Sequence, residues 1–248
     1  MADDPQSDPQ FDEELVQEQD LERNEDAASR AARQTLDREE LGLMADWVAG
    51  DRDAGNRLVQ RYLKPITRFF QAKVRDSGRV DQLLSDFLEQ LARAPKKVHT
   101  TVRAYIYGVA RFTLFHEFRA RNGNREDPSE SPLAALEAGE SAFIANQRVE
   151  TRLVLRAMRR IPARRAIALE MHYFEGMSGR EIAEVLGEPE GTVRNLLKFG
   201  LVDLQREILA QERDPRVLAA TQGTYTWLAG LIRHIEALRE RRKNSPPR

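Results

Sequence analysis

The stretch that decides the fold is FEGMSGREIAEVLGEPEGTVR, residues 174–194. Ser178 stands just before a segment with helical apolar spacing, and Glu181 follows it three residues later, which is the pattern of a capping box. Gly187 ends that segment, and Pro189 suits the first turn of another helix. The stretch therefore predicts two short helices joined by a tight turn, which is a helix-turn-helix motif.

The second helix of this motif is the one that would contact DNA. Val193, Leu196 and Leu197 predict its buried face. Helical bundles that bind no DNA can have the same spacing, so that alternative stays open. In DNA-binding examples the second helix enters the major groove, and phosphates are held by cations and helix N-termini. The predicted duplex-binding residues are Arg180, Glu190, Thr192, Arg194, Asn195 and Lys198.

The composition of the chain favours an all-α protein with more than one domain. The chain has 248 residues, of which 32% are charged and only 7% aromatic. This length exceeds that of a usual single domain. No stretch approaches the length of a membrane span, and the acidic N-terminus lacks the pattern of a signal peptide, so we expect a cytoplasmic protein.

The sequence gives no indication of catalysis, of a metal site or of a cofactor. It contains no cysteine, which excludes disulfides, thiolate zinc sites and cysteine nucleophiles. The histidines lack the spacing of metal ligands, and phosphate loops, glycine-rich fingerprints and nucleophile elbows are absent. We therefore predict a protein that is not an enzyme and needs no metal or cofactor.

Charge is distributed unevenly along the chain. Residues 1–40 contain fourteen acidic residues and four arginines, whereas the formal net charge of the whole chain is only -1. A segment of this composition cannot bury enough apolar surface to offset its entropy, so we predict an acidic, largely disordered extension over residues 1–40, with the disorder reaching roughly Ala27. It is either a solubilising tail or an arm that covers the basic surface or binds a partner.

Four helices are predicted over residues 41–121. The first ends at Gly50, the second starts near Ala54 and is interrupted or kinked at Pro65, and the last two cover residues 80–92 and 102–121. This region has fifteen lysines or arginines and eight acidic residues. An excess of positive charge of this kind is typical of a surface that binds nucleic acid.

The fourth of these helices and the loop before it combine cations with aromatic side chains. Single-stranded DNA is held by cations along its backbone and by flat side chains on which unpaired bases stack. We expect half of the aromatic side chains to fill the core instead. The predicted residues for binding a melted strand are Lys96, Lys97, His99, Arg103, Tyr105, Tyr107, Arg111, Phe112, Phe115 and Arg119.

Two blocks of the sequence resemble the extracytoplasmic-function (ECF) class of bacterial sigma factors. YFEGMS before the first helix of the motif and EGTVR at the start of the second are similar to their C-terminal domain. DQLLSDFL, residues 81–88, and VRAYIYGVAR, residues 102–111, are similar to their first conserved domain. The resemblance covers roughly residues 41–208. It implies a transcription initiation factor whose third helix contacts core RNA polymerase through Asp81, Leu84, Asp86, Phe87 and Gln90.

The resemblance implies a domain like sigma region 2 over residues 41–121 and a domain like sigma region 4 over residues 149–208. The composition of residues 122–148 predicts a flexible linker between them. Residues 209–248 have no counterpart in the minimal members of the class, and their apolar spacing predicts a C-terminal helical extension. The linker would run near the polymerase active centre, or would be a plain tether with a short helix near residues 133–137. The apolar stripe of the extension would pack on the helix-turn-helix domain or dock a regulatory protein such as an anti-sigma factor.

The recognition helix departs from the family pattern. Leu196, Phe199, Gly200 and Leu201 stand where the family often has basic or small residues. We therefore predict a narrowed or unusual preference for the upstream promoter element. Promoter DNA and core RNA polymerase are the expected partners. The alternative function is that of a helix-turn-helix repressor, or of a sigma-like adaptor controlled by a protein partner.

Overall fold

A computed structural model describes residues 27–93, 98–122, 127–147 and 149–211 of the chain. In these ranges the regular elements are helices, and extended pairing is limited to one isolated antiparallel bridge between Pro132 and Pro162. The prediction of an all-α fold is confirmed. None of the described helices is both long enough and apolar enough to cross a membrane.

The first four helices form the N-terminal part of the fold. Asp51 caps the second of them, because its carboxylate accepts hydrogen bonds from the backbone N–H of Asp53 at 2.8 Å and of Ala54 at 3.2 Å. Pro65 lies inside that helix without ending it. The four helices are α1 (Ala27–Val48), α2 (Arg52–Gln71), α3 (Ser77–Arg93) and α4 (Val102–Asn122).

Helix α1 is longer than the sequence pattern predicted. It begins at Ala27, so residues 27–40 of the predicted extension are helical, whereas the disorder predicted up to roughly Ala27 falls on residues that lie outside the described ones. Glu40 joins this helix to α2. Its buried carboxylate accepts hydrogen bonds from Tyr62 Oη at 2.6 Å and from Arg61 Nη1 at 3.2 Å, and these bonds hold α1 against α2.

The core of this part is built from aromatic side chains of α2, α3 and α4. Phe70 packs edge to face on Phe87, with ring centroids 6.4 Å apart. Phe69 meets Tyr107 in the same way at 5.9 Å. Such edge-to-face pairs add to the stabilisation that burial itself provides. The positions of these rings fix α4 against the other two helices.

The segment predicted as a flexible linker is packed on the first four helices in its described residues 127–147. It contains two single-turn helices, α5 (Leu133–Leu136) and α6 (Ala142–Ala145). Glu137 is buried beside α5 and accepts hydrogen bonds from Arg79 Nη1 at 2.6 Å and Arg121 Nη1 at 2.9 Å. Burial opposes ionisation of Glu137, but the two guanidinium groups outweigh it and lower its pKa. The segment thus differs from the expected loose tether, although the predicted short helix is present.

The C-terminal part is a second group of helices in which α10 packs on α7 and α8. It comprises α7 (Val149–Met158), α8 (Ala163–Leu169), a π-helical turn (Glu170–Phe174), α9 (Gly179–Leu186) and α10 (Glu190–Gln211). The predicted C-terminal helical extension enters this group only through the end of α10. Residues 212–248, which carry its apolar stripe, lie outside the described residues.

Arg159 joins the two parts of the molecule. Its side chain is buried, and its guanidinium donates to carbonyl oxygens at the end of α2 and in the segment between the domains. Because a buried guanidinium must satisfy its donors, these four bonds fix the position of α7. The acceptors are the carbonyl oxygens of Ala72 (3.3 Å), Lys73 (2.9 Å), Glu137 (2.6 Å) and Gly139 (3.0 Å).

Gly55 allows α2 to approach α1, and we expect Gly55→Ala to destabilise the protein. A Cβ atom at this position would lie 2.5 Å from Nε1 and 2.6 Å from Cε2 of Trp47, so the indole would have to move. Overpacking of this kind costs about 1 to 3 kcal/mol of unfolding free energy, measurable by thermal or urea denaturation. Gly42→Ala in α1 is the control. A Cβ atom there meets no other atom within 4 Å, so this variant should gain up to about 1 kcal/mol. Equal stability of both variants would contradict the packing of Trp47 on Gly55.

Candidate nucleic-acid interface

The predicted capping box is present at the start of α9. The backbone N–H of Glu181 donates to Ser178 Oγ at 3.3 Å, and the backbone N–H of Ser178 donates to Glu181 Oε2 at 2.9 Å. Gly187 ends the helix in the left-handed conformation, with φ of 69°. These local signals fix the length of α9 and the direction of the turn that leads to the recognition helix α10.

The recognition helix presents its predicted duplex-binding residues on its outer side. Arg194 and Asn195 are exposed, as is Glu190, whereas Thr192 and Lys198 are half-buried. Arg180, on the first helix of the motif, is also exposed. The structure therefore places these side chains where a duplex could reach them, and their roles remain predictions.

The departures from the family pattern have a structural explanation. Leu196 and Leu201 are 4% and 5% exposed, so they belong to the core. Gly200 faces α8, where an added Cβ atom would lie 3.2 Å from Leu169 Cδ1. Phe199 is 47% exposed, and the Arg165 guanidinium lies 5.7 Å from its ring centroid. Positions 196, 200 and 201 of α10 are thus committed to packing.

The predicted polymerase-binding residues of α3 differ in their accessibility. Asp81 is exposed, and Asp86 is half-buried and accepts a hydrogen bond from Gln82 Nε2 at 2.8 Å. Leu84 and Gln90 are half-buried. Phe87 is 1% exposed within the core, so in this conformation it supports the helix and has no surface to offer a partner.

The aromatic side chains of α4 divide between the core and the surface. Tyr107 and Phe115 are 1% and 2% exposed, so they are not available to stack on bases in this conformation. Burial also holds the pKa of the Tyr107 hydroxyl well above its usual range. Tyr105 is half-buried, and Phe112 is 54% exposed. The expectation that half of these aromatic residues fill the core is therefore confirmed.

Part of the predicted strand-binding set stays accessible around Phe112. His116 lies alongside it, with the two ring centroids 6.1 Å apart and the planes inclined by 29°. His99 and Arg119 are exposed. Lys96 and Lys97 lie outside the described residues. An aromatic surface flanked by a cation is the arrangement on which unpaired bases stack.

A cleft of about 540 Å³ lies beside Phe112, between α3, α4 and α9. Arg111 reaches it from α4, where its guanidinium also lies 5.3 Å from the ring centroid of Phe115. Burial lowers the pKa of Arg111, which means that water no longer fully solvates its charge. A negatively charged group that enters the cleft would stabilise the Arg111 charge and so offset part of this lost solvation. The lining residues are Gln90, Arg93, Ala104, Tyr105, Gly108, Val109, Arg111, Phe112, Glu184, Val185 and Gly187.

Arg103 is engaged within the protein. Its guanidinium forms an ion pair with Glu181 at 2.7 Å and donates to the backbone carbonyl of Glu175 at 2.9 Å. Burial opposes ionisation of Glu181, but the Arg103 charge and the hydrogen bonds it receives outweigh burial and lower its pKa. The sequence pattern assigned Glu181 to the capping box alone, and its ion pair could not be foreseen because Arg103 is far away in the chain.

Sequence comparison with known proteins points to sigma factors. The family model for sigma-70, region 4 matches residues 151–204, which include α9 and most of α10. Two curated sequences from two strains of Mycobacterium tuberculosis, both described as ECF RNA polymerase sigma factor SigM, are 28% identical to the chain over 162 residues. The match covers 64% of this chain and 79% of each relative.

A solved structure was also matched, that of CnrH in complex with the cytosolic domain of CnrY. It covers 70% of this chain and 99% of the matched chain, with 18% identity and a TM-score of 0.47. Similarity at this level carries no argument about function. By these sequence matches the chain is similar to the ECF class of the sigma-70 family, and the segment matched by region 4 contains the helix-turn-helix motif described above.

Proposed function

We propose that this chain is a transcription initiation factor that binds core RNA polymerase and directs it to promoter DNA. The observation that carries the proposal is the recognition helix, whose first half projects Arg194 and Asn195 outward from a capped helix-turn-helix motif in the region 4 segment. The protein performs no covalent chemistry. It would lower the cost of opening the duplex by binding bases that become unstacked.

We propose that the exposed side of α3 is the contact with polymerase. Asp81 is exposed on its first turns, and Asp86 is oriented by the hydrogen bond from Gln82. Phe87 would act indirectly, because its ring anchors α3 to Phe70 in the core. A negatively charged, rigid helix face of this kind suits a basic surface on the partner.

The accessible part of α4 is proposed to hold the melted strand. Phe112 provides an exposed ring, and Arg119 provides an exposed cation two turns further along the helix. Arg111, which precedes Phe112 in the chain, lines the cleft beside it. This set is smaller than the one the sequence predicted, because Tyr107 and Phe115 belong to the core.

Regulation by a protein partner is part of the proposal. The sequence of residues 225–238 has apolar residues at helical spacing, which would suit an anti-sigma factor or another regulatory protein if this face is not used within the chain. The site of action would be the cytoplasm, because that is where promoter DNA and polymerase meet in bacteria.

A duplex-binding repressor is the second candidate. The observation that favours it is that the duplex-binding residues of α10 are open while Arg103 and part of α4 are covered. A repressor should bind promoter duplex tightly on its own. A sigma factor should require core polymerase, so the two candidates differ in whether polymerase must be present.

The direct test is open-complex formation on promoter fragments with purified core polymerase. We expect opening, detected by permanganate reactivity of unpaired thymines, only when both proteins are present. Phe112→Ala should reduce it about tenfold, because stacking on an aromatic ring contributes about 1 to 3 kcal/mol per base. Leu63→Ala is the matched control, since Leu63 is also an exposed apolar residue of the same domain. Tight duplex binding by the chain alone, without any binding to polymerase, would favour the repressor.

A further inference from the structure

Helices α4 and α9 lie face to face, with their backbones in close approach. An added Cβ atom on Gly108 of α4 would lie 3.9 Å from the Cα atom of Val185 of α9. Gly108 thus lets the first helix of the helix-turn-helix motif settle on the same helix that carries the predicted strand-binding residues. Contacts at this distance exclude water, and a DNA strand could not pass between the two helices.

Polar contacts extend this interface toward the start of α4. Thr101 Oγ1 donates to Glu181 Oε1 at 2.8 Å, and Arg103 donates to the same oxygen at 2.7 Å. Thr100 donates to the carboxylate of Glu184, which also accepts from the backbone N–H of His99 at 3.4 Å. The side chains of Arg103 and Glu181 are only 17% and 9% exposed. The acidic side of α9 therefore faces the cation and the donors at the beginning of α4.

A second group of contacts joins the C-terminal helices to the chain just after the end of α2. Lys73, at the end of α2, is buried and forms an ion pair with Glu170 of the π-helical turn. Arg159, which directly follows α7, donates to the carbonyl oxygens of Ala72 and Lys73. Two separate ionic groups therefore fix the C-terminal helices to the N-terminal ones. The contact between α4 and α9 is part of a continuous interface.

We propose that this face of α4 is an interaction surface with two mutually exclusive occupants, helix α9 of the same chain and the melted DNA strand. The proposal rests on the function proposed above. Glu181 occupies the position near Arg103 that a phosphate of the strand would need, and Glu184 lines the cleft beside Arg111. The chain is closed when α9 is bound, and α9 must leave before α4 can hold the strand along its full length.

The closed chain retains an open duplex surface. Arg194 and Asn195 on α10 are exposed although α9 is packed on α4. Duplex contact and strand capture therefore have different requirements, because only the second needs the two helices to separate. Promoter opening would then be limited by the fraction of molecules in which α9 has left α4.

The test is a reversible lock across the interface. The chain has no cysteine, so a Thr100→Cys, Glu184→Cys variant contains a single pair of thiols. Because Thr100 and Glu184 are in hydrogen-bond contact, a short bifunctional methanethiosulfonate reagent can bridge the introduced thiols, and a reductant releases it. The matched control is Glu140→Cys, Arg156→Cys, whose native side chains pair at 2.6 Å without joining α4 to α9.

Open complexes are measured with core polymerase before and after reduction. We expect the number of open complexes to fall in proportion to the bridged fraction, about tenfold when about nine-tenths of the molecules are bridged. Reduction of the bridge should restore the open complexes. Open-complex formation by the bridged control variant should stay within about twofold of that by its reduced form. A change smaller than this is our criterion for no effect of the reagent itself.

The other outcomes distinguish the two proposals. Equal opening by locked and reduced forms would overturn the exclusive surface while leaving the initiation function intact. Failure of the two thiols to bridge would show that α9 does not rest on α4 in solution, which also overturns it. If the reduced form opens no promoter with polymerase, the initiation function itself fails, and the inference fails with it.

Discussion

Replacing Lys73 by methionine is expected to lower the free energy of unfolding by about 3 kcal/mol, because it leaves the Glu170 carboxylate, whose side chain is only 17% exposed, without its partner. Lys73 is 2% exposed and is paired with Glu170. Its Nζ atom also donates to the carbonyl oxygen of Phe69 at 3.0 Å and lies 3.6 Å from the centroid of that ring. Methionine keeps the apolar stem and removes the ammonium group, so the loss measures the ion pair together with these two contacts of the ammonium with Phe69.

The measurement is urea or thermal denaturation of the full chain. Lys64→Met in α2, the helix that ends just before Lys73, is the control, because Lys64 is exposed and its removal should change stability by less than about 0.5 kcal/mol. A Lys73→Met, Glu170→Met double variant should recover most of the loss, since two apolar side chains replace both charges. A single variant as stable as the control would contradict the buried pair.

The Lys73→Met variant should also lose more stability as pH rises. Burial raises the pKa of the Glu170 carboxyl even beside Lys73, and removal of the cation would raise it further. The folded state then keeps a proton that the unfolded state has already released, so unfolding releases a proton and stability falls with increasing pH. The stability deficit of the variant relative to the native chain should therefore be smaller at pH 5 than at pH 8, with a slope of at most about 1.4 kcal/mol per pH unit.

The sequence was sufficient for those parts of the fold that local signals determine. The apolar spacing of α2, α3 and α4 predicted their positions to within a few residues, and the capping box of Ser178 and Glu181 predicted α9. Caps and periodic faces act within one or two helical turns, so they can be recognised without knowing the fold. The roles of the aromatic residues of α4 were harder to predict, because the same side chains can fill a core or bind bases.

Long-range ionic contacts account for most of what the sequence did not predict. Glu40 joins α1 to α2, and Glu137 draws the supposed linker onto Arg79 and Arg121. Arg103, which was predicted to bind DNA, is paired in this conformation with Glu181, seventy-eight residues away. A charged residue in a helix has the same local pattern whether it meets water, DNA or a distant carboxylate. Its partner becomes known only when the helices are assembled.

Replacing both Arg194 and Lys198 by alanine is expected to weaken promoter binding by the polymerase complex about 100-fold, because these are the cations in the first half of α10. Loss of about 1 to 2 kcal/mol at each position gives that factor. The neighbouring positions of the helix offer little compensation, since Leu196 and Leu201 are in the core and an added Cβ atom at Gly200 would meet Leu169. Promoter discrimination would thus depend on few side chains.

The control for this prediction must remove the same charge elsewhere, because any loss of positive charge weakens nonspecific attraction to DNA. Arg57→Ala with Arg206→Ala removes two exposed arginines, one on α2 and one near the end of α10. Affinities of both double variants are compared on promoter and unrelated duplexes at one salt concentration. Loss confined to the promoter in the Arg194, Lys198 variant would identify these residues as the source of base discrimination. Equal losses in the two variants would mean that α10 contributes only charge, and promoter preference would then have to come from the melted strand.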